Sequence, residues 1–138
     1  MAQAARALVG TRFVLHGRDP ACGLDCIGLV EVTLGRCGHV VRLPNRYTLR
    51  GDHAGLIGEA AGALTTLVEM TDRQGSIAPG DILALRPGPA LLHLAIASGR
   101  GCAIHAHAGL RRVVESRLPP EWPCIARWRV AQPGAERT

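Results

Sequence analysis

The chain has 138 residues, 47% of them hydrophobic, and a formal net charge of +5 from sixteen basic and eleven acidic side chains. That length suits one domain with one core, and the apolar fraction is too high for a disordered chain. No apolar stretch nears the ~20 residues of a membrane span; the basic residues, all Arg, form no run, and four aromatics are too few to stack bases, so neither a membrane nor a nucleic-acid partner is expected.

The chain opens with Ala2 to Val9, an Ala-rich segment that predicts a helix ending at Gly10. It lacks the long apolar run of a signal peptide, so synthesis in the cytoplasm without one is expected. Thr11 to Leu15 is a short extended piece, and His16 to Leu24 is a turn-rich loop. Asp25 is then placed to cap a helix whose apolar stripe is Ile27, Leu29, Val30 and Leu34, with Gly35 at its end. Cys26 falls on the first turn of that helix. Val40 to Arg50 looks irregular, and Ala54 to Met70 carries apolar residues at helical spacing.

After Pro79-Gly80 the texture changes to strands. Runs at Asp81 to Arg86, Leu91 to Ala97, Cys102 to His107, Leu110 to Glu115 and Cys124 to Val130 are separated by turn residues. The tail, Gln132 to Thr138, reads as loose. Helices first and antiparallel strands second make a single α+β domain over residues 1–138.

The hairpin around Ser98-Gly99-Arg100-Gly101 joins two strands that each carry histidine. Centred on Gly99, it sets His93 opposite His105 and Ala95 opposite Ala103, with the imidazoles ~5 Å apart at Cβ. Alternation puts both rings on a face of small alanines, away from Leu92, Leu94 and Ile96. A one-residue slip would separate them. A thiol on the first turn of a helix meets the positive end of the helix dipole, which favours thiolate and lowers the pKa. Amide groups there can receive an oxyanion. Cys26 as nucleophile, His93 as base and His105 as the residue that orients His93 supply the parts of a Cys–His–polar triad.

The ordered motifs resemble those of the NlpC/P60 cysteine peptidases. Gly10-Thr11-Arg12-Phe13, then Gly17, then Asp25-Cys26-Ile27-Gly28-Leu29-Val30 follow the pattern of a G-x-x-[YF] segment, a glycine-bearing loop and D-C-x-G-[LF]-V. Gly80-Asp81-Ile82-Leu83, His93-Leu94-Ala95-Ile96 and Ile104-His105-Ala106 match its later strands in order. The match spans roughly Ala4 to Glu115 and looks most like the phage-tail and gene-transfer-agent branch. The resemblance implies a papain-like core, with N-terminal helices on an antiparallel sheet of about five or six strands. It implies hydrolysis of the amide after γ-D-glutamate in peptidoglycan stem peptides, with no metal and no cofactor. Cys26, His93 and His105 would be catalytic. Asp25 and Phe13 would border the substrate, Asp25 also capping the helix; Phe13 stands where many members have Tyr. Arg18, and with it Arg100, is a candidate rim contact for an anionic stem peptide. Phage-like tail proteins are the expected partners, and such a particle the expected route to the cell wall.

Other readings compete. Cys22 and Cys26 with the two histidines could form a zinc set, but C-x-x-x-C at a helix start is not a tight metal knuckle. Five cysteines leave at least one thiol without a partner in the chain; Cys26 is expected to be free, and a constitutive Cys22–Cys26 disulfide is not expected. Cys37, Cys102 and Cys124 read as core or inert positions. His107 is expected to be an exposed bystander, and His16, His39 and His53 surface or loop residues. The domain could instead assemble tails or bind the wall without hydrolysis, or use the same residues for acyl transfer.

Overall fold

The computed structural model describes residues 1–43, 67–69, 76–89 and 91–130. The elements in order are α1 (Ala2–Arg6), β1 (Arg18–Asp19), β2 (Gly23–Leu24), α2 (Cys26–Arg36), β3 (Leu67–Glu69), β4 (Ile82–Leu85), β5 (His93–Gly99), β6 (Cys102–His107), β7 (Arg112–Arg117) and β8 (Cys124–Val130). The α+β class expected from the sequence is the class observed. Among the described residues, one sheet of six strands runs β3-β8-β4-β5-β6-β7, and every neighbouring pair is antiparallel. A two-stranded ribbon, β1-β2, forms inside the segment expected to be a plain loop.

The helix expected from Ala54 to Met70 fails at its end. Leu67–Glu69 pairs with Trp128–Val130 as an edge strand. A short apolar run with Val fits either period, and here the free edge of β8 decides it. The rest of that segment, and the tail Gln132 to Thr138, lie outside the described residues.

Helix α2 begins where the sequence places it. Asp25 has extended backbone and its carboxylate accepts the Gly28 N–H at 2.8 Å, which satisfies one of the free donors of the first turn. The helix runs past Gly35 to Arg36 and closes with the His39 N–H on the Leu34 carbonyl. The glycine of the D-C-x-G motif has a steric cause. A Cβ on Gly28 would overlap the carbonyl oxygen of Gly17, and one on Gly17 would overlap that of Gly23. Two missing side chains therefore let the loop before α2 lie against its first turn.

Strands β4, β5 and β6 are buried on both faces. Leu94, Ile96, Ile104 and Ala106 pack with Leu29, Val30 and Leu34 of α2. Leu83, Leu85, Ala95, Ala97 and Ala103 form a second, smaller cluster beneath Leu118, Trp122 and Cys124. The alternation along β5 is the one expected.

The register of the β5–β6 hairpin differs from expectation. Ile96 pairs with Ile104 and Ala97 with Ala103, so Ala95 is not opposite Ala103. The turn is Arg100-Gly101, both at positive φ (57° and 76°) between the pair Gly99 and Cys102, with a bulge between Ala97 and Gly99 just before it. That is the backbone of a two-residue hairpin turn, centred beyond Gly99. The shift is two residues, and an even shift preserves the face of every side chain. The histidines therefore remain on one face but meet diagonally.

Candidate active site

His93 opens β5 and His105 lies in the middle of β6. Their rings meet edge to face with centroids 5.0 Å apart, and His93 Nε2 lies 2.8 Å from His105 Nδ1. The other ring nitrogen of His105, Nε2, lies 2.9 Å from Ser116 Oγ on β7. Trp122 stands edge-on to both rings, at 5.7 Å from His93 and 6.5 Å from His105. Behind Trp122, a cavity of ≈ 240 Å³ continues over Leu83, Leu85, Ala97, Leu118 and Cys124.

Cys26 comes to the same strand from the other side of the fold. Helix α2 packs on β5 and β6, and the Cys26 sulfur receives a hydrogen bond from the backbone of Leu94, the residue after His93. With Nε2 of His93 on His105, Nδ1 is the nitrogen left to exchange a proton with a thiol.

The protonation states correct one expectation. Cys26 is 1% exposed, and burial pushes its thiol up to about 12. The Leu94 backbone opposes that rise, the Asp25 charge adds to it, and the amides of Ile27 and Cys26 pull it down. Burial also lowers His93 to about 3, helped by His105 and His107, and lowers His105 to about 4, helped by His107. Burial thus outweighs the pull of the amides at the helix start, which favours a neutral thiol and a neutral imidazole over an ion pair. No disulfide joins any of the five cysteines; Cys22 is exposed while Cys26 is buried.

The residues assigned to the substrate are placed differently from the triad. Asp25 is fully buried, with Oδ2 on the His16 N–H at 2.8 Å and Oδ1 on Gly28 and on Arg18 Nη1. It shapes the loop and the helix start from within and does not reach a ligand. Arg18 spans Asp25 and Glu31, at 3.1 and 3.4 Å, so its charge is used inside the loop rather than held at a rim. Phe13 is half-buried and packs on the α2 core, beside a bridge to Leu24. His107 is half-buried rather than exposed; its Nδ1 accepts the Leu110 N–H, and its ring lies 5.8 Å from that of His105. Among the described residues, no three of His, Cys, Asp and Glu converge as metal ligands do.

Ser116 and Trp122 were not among the residues singled out from the sequence. Ser116 lies one residue past the strand expected to end at Glu115. Trp122 sits among prolines, where no periodicity assigns a face.

No protein-family model matches the chain, and no curated protein matches it. Solved structures do. It is similar to NlpC1 from Trichomonas vaginalis at 20% identity and TM-score 0.66, covering 93% of this chain and 43% of that one. It is similar to the NlpC/p60 domain of the peptidoglycan hydrolase SagA at 25% identity and TM-score 0.56, covering 94% of both chains. It is similar to RipD from Mycobacterium tuberculosis, described as a non-catalytic NlpC/p60 domain protein adapted to peptidoglycan binding, at 16% identity and TM-score 0.58, over 94% of this chain and 97% of that one. The chain spans less than half the length of NlpC1. These likenesses establish its fold as that of the NlpC/P60 domain.

Proposed function

We propose that this chain, which has the NlpC/P60 fold, is a cysteine peptidase that hydrolyses peptidoglycan stem peptides at the amide after γ-D-glutamate. The observation that carries the reading is the 2.8 Å contact between His93 Nε2 and His105 Nδ1 on the strand against which Cys26 is packed. In this reading His93 Nε2–H donates to His105 Nδ1, which leaves His93 Nδ1 unprotonated. Cys26 attacks the substrate carbonyl while its proton passes to that nitrogen. Since both groups rest neutral, transfer accompanies attack instead of preceding it. Amides at the start of α2 would receive the oxyanion. The imidazolium then protonates the leaving amine, the C–N bond breaks, and a water deprotonated by His93 releases the acyl group from sulfur. SagA, described as a peptidoglycan hydrolase, supports the substrate class. Delivery to the wall in a phage-like particle, with tail proteins as partners, belongs to the same proposal.

Digestion of purified sacculi, followed by mass spectrometry of the released muropeptides, tests it. Cys26→Ala and His93→Ala should each lower cleavage by at least ~10³-fold while the fold survives. Undiminished cleavage by Cys26→Ala overturns the reading.

A second reading has its own support. The deeply buried, fully protonated Cys26 and the likeness to RipD both suit a wall-binding module without hydrolysis. Such a module would sediment with sacculi and release no muropeptide.

A further inference from the structure

We propose that Ser116 is a positioning residue that holds the two imidazoles in the tautomers the reaction needs. The inference rests on the peptidase reading for its consequence, but its geometry stands independently. Two proton arrangements satisfy the His93–His105–Ser116 chain. In the first, His93 Nε2–H donates to His105 Nδ1, and His105 Nε2–H donates to Ser116 Oγ. In the second every bond reverses: Ser116 Oγ–H donates to His105 Nε2, His105 Nδ1–H donates to His93 Nε2, and the proton of His93 sits on Nδ1. Only the first leaves His93 Nδ1 able to take the thiol proton. His105 is 2% exposed and Trp122 stands edge-on beside both rings, which makes water a poor substitute partner for His105.

Removing the hydroxyl affects the two arrangements unequally. In the first it orphans a buried N–H; in the second it orphans a ring lone pair. Buried N–H groups left without an acceptor are the rarer defect in folded proteins. Without Ser116 the pair therefore drifts toward the arrangement in which His93 is no base. Ser116 thus acts across two imidazoles, through His105, on the protonation of His93.

The test is nitrogen-15 NMR of the histidine side chains near pH 7, together with cleavage of a muropeptide substrate. In the wild type His105 should carry its proton on Nε2. Ser116→Ala should move it toward Nδ1 and lower kcat about tenfold with KM little changed. Ser116→Thr, which keeps the hydroxyl and suits a strand, should restore both. An unchanged His105 tautomer in a folded Ser116→Ala overturns the proposal, as does a failure of Ser116→Thr to restore it. If the tautomer responds as expected but the wild type cleaves nothing, the peptidase reading fails while the positioning role stands.

Discussion

Asp81, Arg127 and Arg129 gather charge where β4 meets β8, whereas His93, His105 and Ser116 line up neutral groups across β5, β6 and β7. Both clusters bury polar atoms in the same sheet. Asp81 is 1% exposed and takes Arg127 Nη1 at 2.9 Å, Arg129 Nε at 2.8 Å and the Ala78 N–H at 2.9 Å. Burial works to raise its pKa, but the bonds from Arg129, Ala78 and Arg127 outweigh that and hold it below the usual carboxylate range. Opposite charges have been brought together, and the cluster fastens the Ser76 carbonyl to β8 through the same arginines. The histidine cluster has no such counter-charge in its hydrogen-bonded chain. Its rings stay neutral, and a neutral imidazole that can still gain a proton is what a base requires. The paired cluster is built for stability, and the unpaired one is suited to chemistry.

The largest expected effect breaks the paired cluster. Asp81→Ala leaves the buried Arg127 charge without its carboxylate, which should cost about 3–5 kcal/mol of unfolding free energy. Urea denaturation checks it, and cleavage per folded molecule should be unchanged. The next effect falls on the other cluster. His105→Ala should lower kcat about 10²-fold, equivalent to about 2.7 kcal/mol of barrier. Its denaturation midpoint should move far less than that of Asp81→Ala. A comparable loss of stability in both variants would erase the distinction between the two regions.

Much of this contrast was legible in the residues. The Asp25 cap, the helix start bearing Cys26 and five of the six sheet strands follow from local signals: capping chemistry, apolar period and turn residues. The face shared by His93 and His105 also follows, because parity survives a two-residue change of register. The register itself did not, since Gly99 and Gly101 both offer positive φ and only the assembled hairpin chooses between them. Leu67–Glu69 joined the sheet because β8 offered an edge, which no local window contains. Ser116 and Trp122 meet the histidines through pairing across strands and through a loop that folds back. The protonation of Cys26 was misjudged because a helix start is visible in sequence and the depth of burial is not.

The smallest effect tests both clusters in one acid titration. His93 and His105 titrate near 3 and 4 when folded, against 6.5 for an ordinary histidine. Below pH 6.5 the unfolded chain therefore binds protons that the folded chain refuses, and stability falls as the pH drops toward about 3. The contribution is fully present above pH 6.5. Asp81 also has a lowered pKa, but its reference value is 3.8, so its contribution holds until the pH nears that value and is lost below it. The two clusters should thus differ in where the loss begins, near pH 6.5 for the histidines and near 3.8 for Asp81. The urea midpoint should decline in two stages, the upper from the histidines and the lower from Asp81 with other carboxylates. A variant carrying His93→Gln and His105→Gln should lose part of the upper slope and keep the lower. Asp81→Asn should keep the upper slope and flatten the lower. An upper slope unchanged by the two glutamines would mean that the imidazoles take up protons freely in the folded chain. The neutral pair on which the proposed proton transfer depends would then exist only above about pH 6.5.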